Sequence, residues 1–230
     1  LPGHVDALGP SLEVDDIEGL TMLGLNPLVL SRSSAALKRA LDLTGAAAGL
    51  VVVSPLLLAA AVAIRLDSSG PILFRQRRIG RWGRPFTLLK FRTMYVDAEA
   101  SAAELRAASS DPDWLKIDHD PRVTRVGRVL RRTSIDELPQ LINVLRGEMS
   151  LVGPRPLIGS EDSLVDGWER TRLDLSPGVT GMWQVLGRTD IPFREMLKLD
   201  CLYVTNWSLW LDLKLIARTI PAVLARRGAN

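Results

Sequence analysis

The chain has 230 residues, of which 47% are hydrophobic and 24% charged, and its formal net charge is +3. That length suits one domain of ordinary size with its own core, or one domain plus an appendage. A single cysteine, Cys201, excludes an internal disulfide and a thiolate metal cage, and the two histidines, His4 and His119, are too far apart in sequence to favour a histidine metal site or a Ser-His triad.

The opening segment predicts a linker or the tail of an upstream region. Residues 1–35 are rich in Gly, Pro and Ser, and the chain begins at Leu1 rather than Met, which suggests a fragment or a processed product. No basic stretch followed by an apolar core occurs at the start, so we predict no secretory signal. The stretch EVDDIEGLTMLG is compatible with a short hairpin around Glu18 and Gly19.

The most prominent segment is uncharged from Leu43 to Ile64. As one helix it would be roughly 33 Å long, about the thickness of a bilayer core. Ser54 and Pro55 lie at its midpoint, where proline removes a backbone hydrogen bond, and basic residues flank both ends. We therefore predict a helix over residues 37–66 that enters the membrane, breaks at Ser54-Pro55 and returns on the same side, with the Ser54 hydroxyl bonding a freed backbone group. A plain spanning helix and a buried core helix stay open as alternatives.

A basic stretch follows, because residues 68–96 contain arginines and lysine but no acidic side chain. It either attracts phosphates of a nucleotide, a nucleic acid or a lipid surface, or forms an ordinary solvated face. Within it, residues 71–94 predict two strands joined by a turn at residues 80–84. Lys90 and Arg92 would share one face of the second strand and could grip one phosphate, although exposed strand residues show the same spacing.

Two further elements lead to the middle of the chain. Residues 97–110 are polar and helix-prone, so we predict a surface helix there. Arg122, Arg125 and Arg128 recur at every third position beside valines, which predicts an amphipathic element that carries arginines on one face.

The last third of the chain, residues 194–227, predicts an amphipathic helical run. Trp207 and Trp210 lie in a leucine-rich stretch that basic residues follow. This composition suits a helix in the membrane interface, and a core-packing helix is the open alternative.

Two adjacent carboxylates, Asp136 and Glu137, stand just ahead of a proline and an apolar run. Ser134, with Glu137 three residues later, matches a helix capping box, which needs no catalysis. In that register Pro139 would clash with the carbonyl of Ile135, whereas a helix capped by Asp136 has Pro139 in its tolerated first turn. The two side chains would then point about 100° apart, so that one can attack or accept a proton while the other holds Mg²⁺. The pair alone leaves capping and catalysis both open.

Two later loops carry groups suited to phosphate or nucleotide recognition. In SLVGPRPL, Arg155 lies between two prolines, which stiffen the loop that presents its guanidinium. The stretch LSPGVTGMWQVLGR is predicted to be a Gly-punctuated loop that offers Gln184 and Arg188. Each of these signals is weak by itself.

Taken together, these stretches resemble the bacterial sugar transferase family, the monotopic phosphoglycosyl transferases that are also called polyprenyl-phosphate glycosylphosphotransferases. The resemblance runs from about Leu37 to about Leu224 and rests on KRALDL with the SP-broken apolar segment, GPILFRQRRIGRWGRPFTLLKFRTM, DPRVTRVGRVLRRTSIDELPQLINVLRGEMSLVGPRPL and PGVTGMWQVLGR. It implies an α+β, mostly helical, monotopic membrane protein with a Pro-broken re-entrant helix, interfacial amphipathic helices and a small β-hairpin. It also implies that residues 36–230 form the catalytic domain and that residues 1–35 follow a missing region of a larger member.

The chemistry implied by the resemblance is transfer of a sugar-1-phosphate from a UDP-sugar to undecaprenyl (polyprenyl) phosphate, with release of UMP. It would occur on the cytoplasmic face of the inner membrane, as the first membrane step of exopolysaccharide, capsule, O-antigen or glycoconjugate synthesis. Asp136 would be the nucleophile that forms a covalent phospho-sugar intermediate, and Glu137 with Asp136 would bind Mg²⁺. The candidate phosphate and nucleotide ligands are Arg131, Lys90, Arg92, Arg155, Gln184 and Arg188.

Two other functions compete with this one. A non-catalytic membrane-anchored scaffold of polysaccharide assembly would explain the apolar segment and the basic stretch, but it gives no reason for carboxylates beside Arg131. A nucleic-acid-binding protein is disfavoured, because the long apolar run has no place in one and no recognised nucleic-acid motif occurs. The sequence does not identify the sugar, and it leaves the oligomeric state open, a homodimer included.

Overall fold

Helices and three two-stranded sheets make up the regular structure of the described residues, which are 12–17, 20–25, 30–96, 98, 120–186 and 191–224 of the computed structural model. The strands are β1 (Leu12–Ile17), β2 (Leu20–Leu25), β3 (Leu73–Ile79), β4 (Pro85–Phe91), β5 (Ser150–Val152) and β6 (Gly178–Thr180). The α-helices are α1 (Arg32–Asp67), α2 (Arg125–Thr133), α3 (Gln140–Arg146), α4 (Gly159–Asp162), α5 (Met182–Leu186), α6 (Phe193–Thr205) and α7 (Leu209–Leu224). This mainly helical α+β arrangement, with one long apolar helix, confirms the coarse fold class.

Both predicted hairpins are present. β1 and β2 pair antiparallel with Ile17 opposite Leu20. β3 and β4 pair antiparallel, and a 3₁₀ turn that contains Trp82 at a φ of +57° joins them. The surface helix predicted over residues 97–110 lies outside the described residues.

The long helix α1 has 36 residues and continues through Pro55. Proline has no amide hydrogen to donate to the carbonyl of Val51, and Ser54 Oγ donates to that carbonyl at 2.8 Å instead. The Ser54 hydroxyl therefore bonds the freed backbone group, as predicted. By length and composition, α1 is the one helix among the described residues that could cross a membrane.

One face of α1 packs on the rest of the protein along most of its length. Ala46 and Leu50 contact the cluster around Val144 of α3, and Ala60 and Ile64 contact the cluster of β4 and α2. The other face exposes large apolar side chains, which are Val51, Val52, Leu56, Leu58, Val62 and Leu66. An exposed apolar surface of this extent indicates contact with a membrane or a partner.

Both ends of α1 are bonded to the same folded unit. Near its start, Lys38 Nζ lies 2.7 Å from Asp212 Oδ2 of α7, and both side chains are buried. At its end, Asp67 Oδ2 accepts from the amide of Val126 in α2 at 3.1 Å. Contacts at both ends therefore hold α1 to the rest of the described residues.

Two close contacts hold the segment between α2 and α3 against β4. Asn143 of α3 is fully buried, accepts from the amide of Leu89 at 3.0 Å and donates to the carbonyl of Thr87 at 2.7 Å. Gly127 lets α2 approach the chain after β4, because a Cβ at that position would lie 2.1 Å from the oxygen of Thr93. These contacts fix the position of residues 134–139 relative to the strand.

The segment predicted as a Gly-punctuated loop contains β6 and α5. β6 pairs in parallel with β5, so that Ser150 lies opposite Gly178 and Val152 opposite Thr180. The loop prediction was wrong here because a three-residue strand is too short to leave a period in the sequence, and its partner is distant.

The C-terminal run forms two helices, α6 and α7, rather than one. Residues 206–208 separate them, and the Ser208 hydroxyl accepts from the amide of Leu211 at 3.1 Å, as an N-cap does. α6 is a core helix with Phe193 and Met196 buried, whereas Trp210 of α7 is 64% exposed. The core-packing alternative thus holds for α6, and the exposed aromatic surface belongs to α7.

Candidate active site

The two adjacent carboxylates lie in a 3₁₀ turn, Ile135–Glu137, which we name the carboxylate turn. Ser134 ends α2 in the left-handed region, at a φ of +57°, and its side chain makes no capping hydrogen bond within the described residues. The capping-box alternative is therefore wrong. The predicted helix start at Asp136 is wrong as well, because α3 begins at Gln140, directly after Pro139. Successive side chains of a 3₁₀ turn point about 120° apart, so the two carboxylates still face different surroundings.

Asp136 is the buried member of the pair, with 8% of its surface exposed. Burial, and after it the neighbouring Glu137, raise the pKa of Asp136 to about 6, although Lys90 and Arg131 act in the opposite direction. At neutral pH the group is still mainly a carboxylate. A poorly hydrated carboxylate next to cations suits a nucleophile or a base.

Glu137 is the more accessible carboxylate of the turn. Its Oε1 lies 2.7 Å from Lys90 Nζ of β4, with side-chain exposures of 34% and 22%. Arg131, in the last turn of α2, donates from Nε to Thr93 Oγ1 at 2.9 Å. Burial lowers the pKa of Arg131, while Asp136 raises it. The structure thus gathers two carboxylates and two cations at one place.

Lys90 and Glu137 line a pocket together with a second group of residues. The centre of that second group is the segment 153–157, which we name the arginine loop. The guanidinium carbon of Arg155 lies 4.6 Å from the ring centroid of Trp183, which is a stacking distance. The pocket holds about 290 Å³ of empty space, part of it open to solvent, and its polar lining includes Arg155, Gln184, Lys90 and Glu137. A cationic group and the carboxylate turn therefore face one cavity.

Gln184 contributes a hydrogen-bond acceptor that lacks a donor. Its Oε1 is buried and accepts no hydrogen bond from the part of the chain that the structure describes. A buried acceptor without a partner costs free energy, so such an atom in a pocket suits an N–H or O–H group of a ligand.

Arg78 lines the pocket too, although nothing in the sequence distinguishes it from the other arginines of the basic stretch. It donates from Nε and Nη2 to Gln76 Oε1 at 3.0 and 2.6 Å, and from Nη1 to the carbonyl of Pro156 at 3.0 Å. Burial and the nearby charge of Arg155 lower the pKa of Arg78 to about 10. Arg78 Nη1 also lies 3.5 Å from Glu161 Oε2, and the two arginines with this one carboxylate leave a net positive charge that suits an anionic ligand. The only indication of this role for Arg78 in the sequence was weak, namely an arginine at an inward-facing position of β3.

The other predicted site residues lie elsewhere. Arg92 follows β4, is buried, and donates from Nη2 to the carbonyl of Ser68 at 2.8 Å, so its guanidinium secures the segment after α1. Arg188 lies outside the described residues. Ser54 and Pro55 lie in the middle of α1 with exposed side chains.

The donor set fits a magnesium ion that arrives with a phosphate ligand. Among the described residues there is no group of three or more His, Cys, Asp or Glu side chains that could hold a metal ion. Mg²⁺ commonly takes one or two carboxylates from the protein and its other ligands from water and substrate phosphates. Glu137, with Asp136 beside it, supplies that number of carboxylates.

Chemically, the site has a poorly hydrated carboxylate, Asp136, directly beside Glu137, which lines a pocket with cations suited to phosphate oxygens. Lys90 and Arg131 act on the charge of Asp136, while Lys90, Arg78 and Arg155 line the pocket. Charged donors of this kind stabilise the negative charge of a phosphoryl group during transfer. Nucleophilic attack on a phosphorus atom is the chemistry that this arrangement supports best.

Comparison with known proteins gives concordant matches. The profile of the bacterial sugar transferase family matches residues 33–226. The chain is 43% identical, over an alignment of 239 positions, to the UDP-glucose:undecaprenyl-phosphate glucose-1-phosphate transferase of Caulobacter vibrioides. The match covers 100% of this chain and 83% of that protein. It is 42% identical over 197 residues to the exopolysaccharide production protein ExoY of Rhizobium meliloti, covering 84% of this chain and 87% of that protein.

Other relatives are longer. The chain is 41% identical over 219 residues to the galactosyl transferase CpsE of Streptococcus agalactiae serotype III, which covers 94% of this chain and 49% of that protein. The chain thus spans about half the length of that relative and most of the length of ExoY.

Proposed function

The chain belongs to the bacterial sugar transferase family, and from that premise we propose that it transfers a sugar-1-phosphate from a UDP-sugar to undecaprenyl phosphate, releasing UMP. The relatives' names supply the two substrate classes: one is a UDP-glucose:undecaprenyl-phosphate glucose-1-phosphate transferase, and another is an exopolysaccharide production protein. The product is a lipid-linked diphospho-sugar. Formation of this product would be the first membrane step of exopolysaccharide, capsule, O-antigen or glycoconjugate synthesis.

The observation that carries the proposal is the buried carboxylate of Asp136, next to the cation-lined pocket to which Glu137 contributes. Glu137 and Lys90 form an ion pair at 2.7 Å beside it, and Arg131 acts on its pKa. A diphosphate brings negative charge that these cations complement, and the phosphorus next to the sugar then meets the nucleophile.

The reaction has two displacements at the same phosphorus. In the first, an oxygen of Asp136 forms a bond to the phosphorus next to the sugar, and the bond from that phosphorus to the bridging oxygen breaks. UMP leaves with the electron pair. In the second, an oxygen of the lipid phosphate attacks, the bond to Asp136 breaks, and the carboxylate is restored. Ping-pong kinetics follow from the covalent intermediate.

Glu137 and Asp136 would hold Mg²⁺ together with the oxygens of the diphosphate. The ion would offset negative charge on the diphosphate and on the leaving phosphate. Lys90 keeps Glu137 in place through their ion pair, and Arg131 and Arg155 orient phosphate oxygens.

For the membrane we propose that α1 enters from one side only and returns to it, with its bend at Ser54-Pro55. Two observations support this. Both ends of α1 are bonded to one folded unit, through Lys38 and Asp67. The proline removes one backbone bond, so the helix bends most easily there. The exposed face of α1 and Trp210 of α7 would then contact lipid.

The proposed location of the active site follows from where its two substrates are found. We propose that residues 36–230 form the catalytic domain, that residues 1–35 link it to a preceding region, and that the site faces the cytoplasm at the inner membrane. A sugar nucleotide is soluble and the acceptor is buried in lipid, so both reach a site at the membrane surface.

The test is UMP release by the full chain in lipid nanodiscs, with undecaprenyl phosphate, Mg²⁺ and a panel of UDP-sugars. We expect lipid-dependent release from one sugar. Without the acceptor, mass spectrometry should find one phospho-sugar on Asp136. Folded protein that releases no UMP with any sugar would favour the scaffold function instead.

A further inference from the structure

The arginine loop is fixed by hydrogen bonds to its backbone from several elements. The carbonyl of Pro154 accepts from the amide of Gly178 at 2.9 Å, and the carbonyl of Leu157 accepts from the amide of Ile79 at 2.8 Å. Gly153 donates from its amide to the carbonyl of Thr180 at 2.9 Å. The sheets on both sides thus hold the ends of the loop.

The middle of the loop is held by a buried ion pair. Arg172 and Asp200 are each 1% exposed, and Arg172 Nη2 lies 2.8 Å from Asp200 Oδ2. The same Asp200 oxygen accepts from the amide of Arg155 at 3.1 Å, and Arg172 Nη2 donates to the carbonyl of Arg155. One ion pair therefore bonds both backbone groups of the residue that faces the pocket.

This backbone geometry restricts where the Arg155 guanidinium can lie. Pro154 and Pro156 restrict the backbone on both sides, and Trp183 gives the side chain a surface to stack on. The bonds from Arg172 and Asp200 fix the amide and carbonyl of Arg155, and therefore the point from which its side chain starts. A guanidinium that is already in place loses less entropy when a phosphate binds.

We propose that Arg172 and Asp200 are positioning residues that hold Arg155 in the geometry for donor binding, an inference that rests on the proposed transferase function. Stability alone is a weak reason for such a pair, because apolar residues of similar volume often stabilise a core at least as well. A pair that bonds the amide and the carbonyl of one pocket residue has a specific consequence, which is the orientation of that residue.

The test replaces the pair with apolar residues, Arg172→Met with Asp200→Leu, in the full chain in nanodiscs. The matched control is Lys38→Met with Asp212→Leu, another buried ion pair, which bonds the carbonyl of Val152 rather than the arginine loop. Arg172→Lys is the conservative variant, because it keeps a charged donor near Asp200.

Hydrogen exchange provides a measurement that needs no substrate. We expect amides of the arginine loop to exchange at least about tenfold faster in Arg172→Met with Asp200→Leu, and at the wild-type rate in the control. Equal acceleration along the whole chain, or none in the loop, would overturn the proposal. If the wild-type protein releases no UMP, the proposed function fails, while exchange still decides whether the pair fixes the loop.

Steady-state kinetics provide the second measurement. We expect the KM for the UDP-sugar to rise about tenfold with kcat within about threefold, and Arg172→Lys to raise KM only about threefold. In an Arg155→Ala background the apolar pair should change KM by less than about twofold, because no side chain remains to be positioned. A full tenfold effect in that background would contradict the proposal. If the apolar variant does not fold, the effect of Arg172→Lys on KM is compared between the wild-type and the Arg155→Ala backgrounds in the same way.

Discussion

The carboxylate turn and the arginine loop line one pocket, but the electrostatic environments of their key residues are opposite. In the turn, burial and Glu137 make the charge of Asp136 unfavourable and raise its pKa to about 6. In the loop, the backbone of Arg155 is bonded by an ion pair of matched charges. The site thus concentrates unfavourable electrostatics at the group proposed to react, and favourable contacts at the group proposed to bind.

The largest expected effect comes from removing the reactive group. Asp136→Asn keeps the shape of the side chain but cannot form the phospho-enzyme, so UMP release should fall by at least about 10³-fold. The matched control is Asp166→Asn, at an exposed position outside the pocket, which should keep wild-type activity. Activity of Asp136→Asn within tenfold of wild type would remove the turn from the reaction.

The same substitution should stabilise the fold, which is the opposite of its effect on activity. Because the folded-state pKa of Asp136 lies above the ordinary value, folding favours the protonated form, and ionisation lowers the free energy of unfolding as pH rises from about 4 to about 6. At pH 7.5 we expect the free energy of unfolding of Asp136→Asn to exceed that of the wild type by on the order of 2 to 3 kcal/mol. The gain should disappear near pH 4.

Thermal unfolding in nanodiscs at pH 4 and pH 7.5 checks this stabilisation. A variant that is less stable than wild type at pH 7.5 would show that the charge of Asp136 is well compensated. The contrast between turn and loop would then be lost.

The pH dependence of activity distinguishes the two regions next. Asp136 must be ionised to attack, so kcat/KM should fall about tenfold for each pH unit below 6. Arg78 of the pocket keeps its charge at these pH values, because burial and the charge of Arg155 lower its pKa only to about 10. Equilibrium binding of a UDP-sugar to Asp136→Asn needs no nucleophile, and its diphosphate does not titrate in this range, so it should change much less between pH 7 and pH 5. A rate that stays constant down to pH 5 would show that the pKa of Asp136 is not raised in the Mg²⁺-loaded protein.

The sequence predicted the elements whose signals are local. The long apolar helix, both hairpins and the bond of the Ser54 hydroxyl depend on neighbouring residues, and the structure confirms them. The carboxylate pair also stood out because a proline follows it so closely. Its backbone was predicted less well, since Ser134 adopts the left-handed conformation that glycine or asparagine would have signalled.

Long-range partners were not predictable from one sequence. Arg92 alternates with Lys90 as predicted, but the strand ends at Phe91 and its guanidinium bonds the carbonyl of Ser68. Arg172 and Asp200 are separated by 28 positions, and each lies in a run that resembles an ordinary polar helix face. Only the folded chain brings them to the backbone of the arginine loop.

The smallest expected effect is that of substituting Gln184. This residue lines the pocket, as Arg155 does, and carries a polar group in an unfavourable environment, as Asp136 does. Its buried Oε1 lacks a donor within the described residues, so Gln184→Leu removes an unfavourable group from the free protein. We expect a thermal midpoint equal to or above that of wild type, and a KM for the UDP-sugar about five- to tenfold higher, from the loss of one hydrogen bond. Gln184→Glu keeps the acceptor but adds charge near a phosphate site, so it should weaken donor binding more strongly. A destabilised Gln184→Leu protein with unchanged KM would show that the oxygen serves the fold, and the arginine loop would then recognise the donor without it.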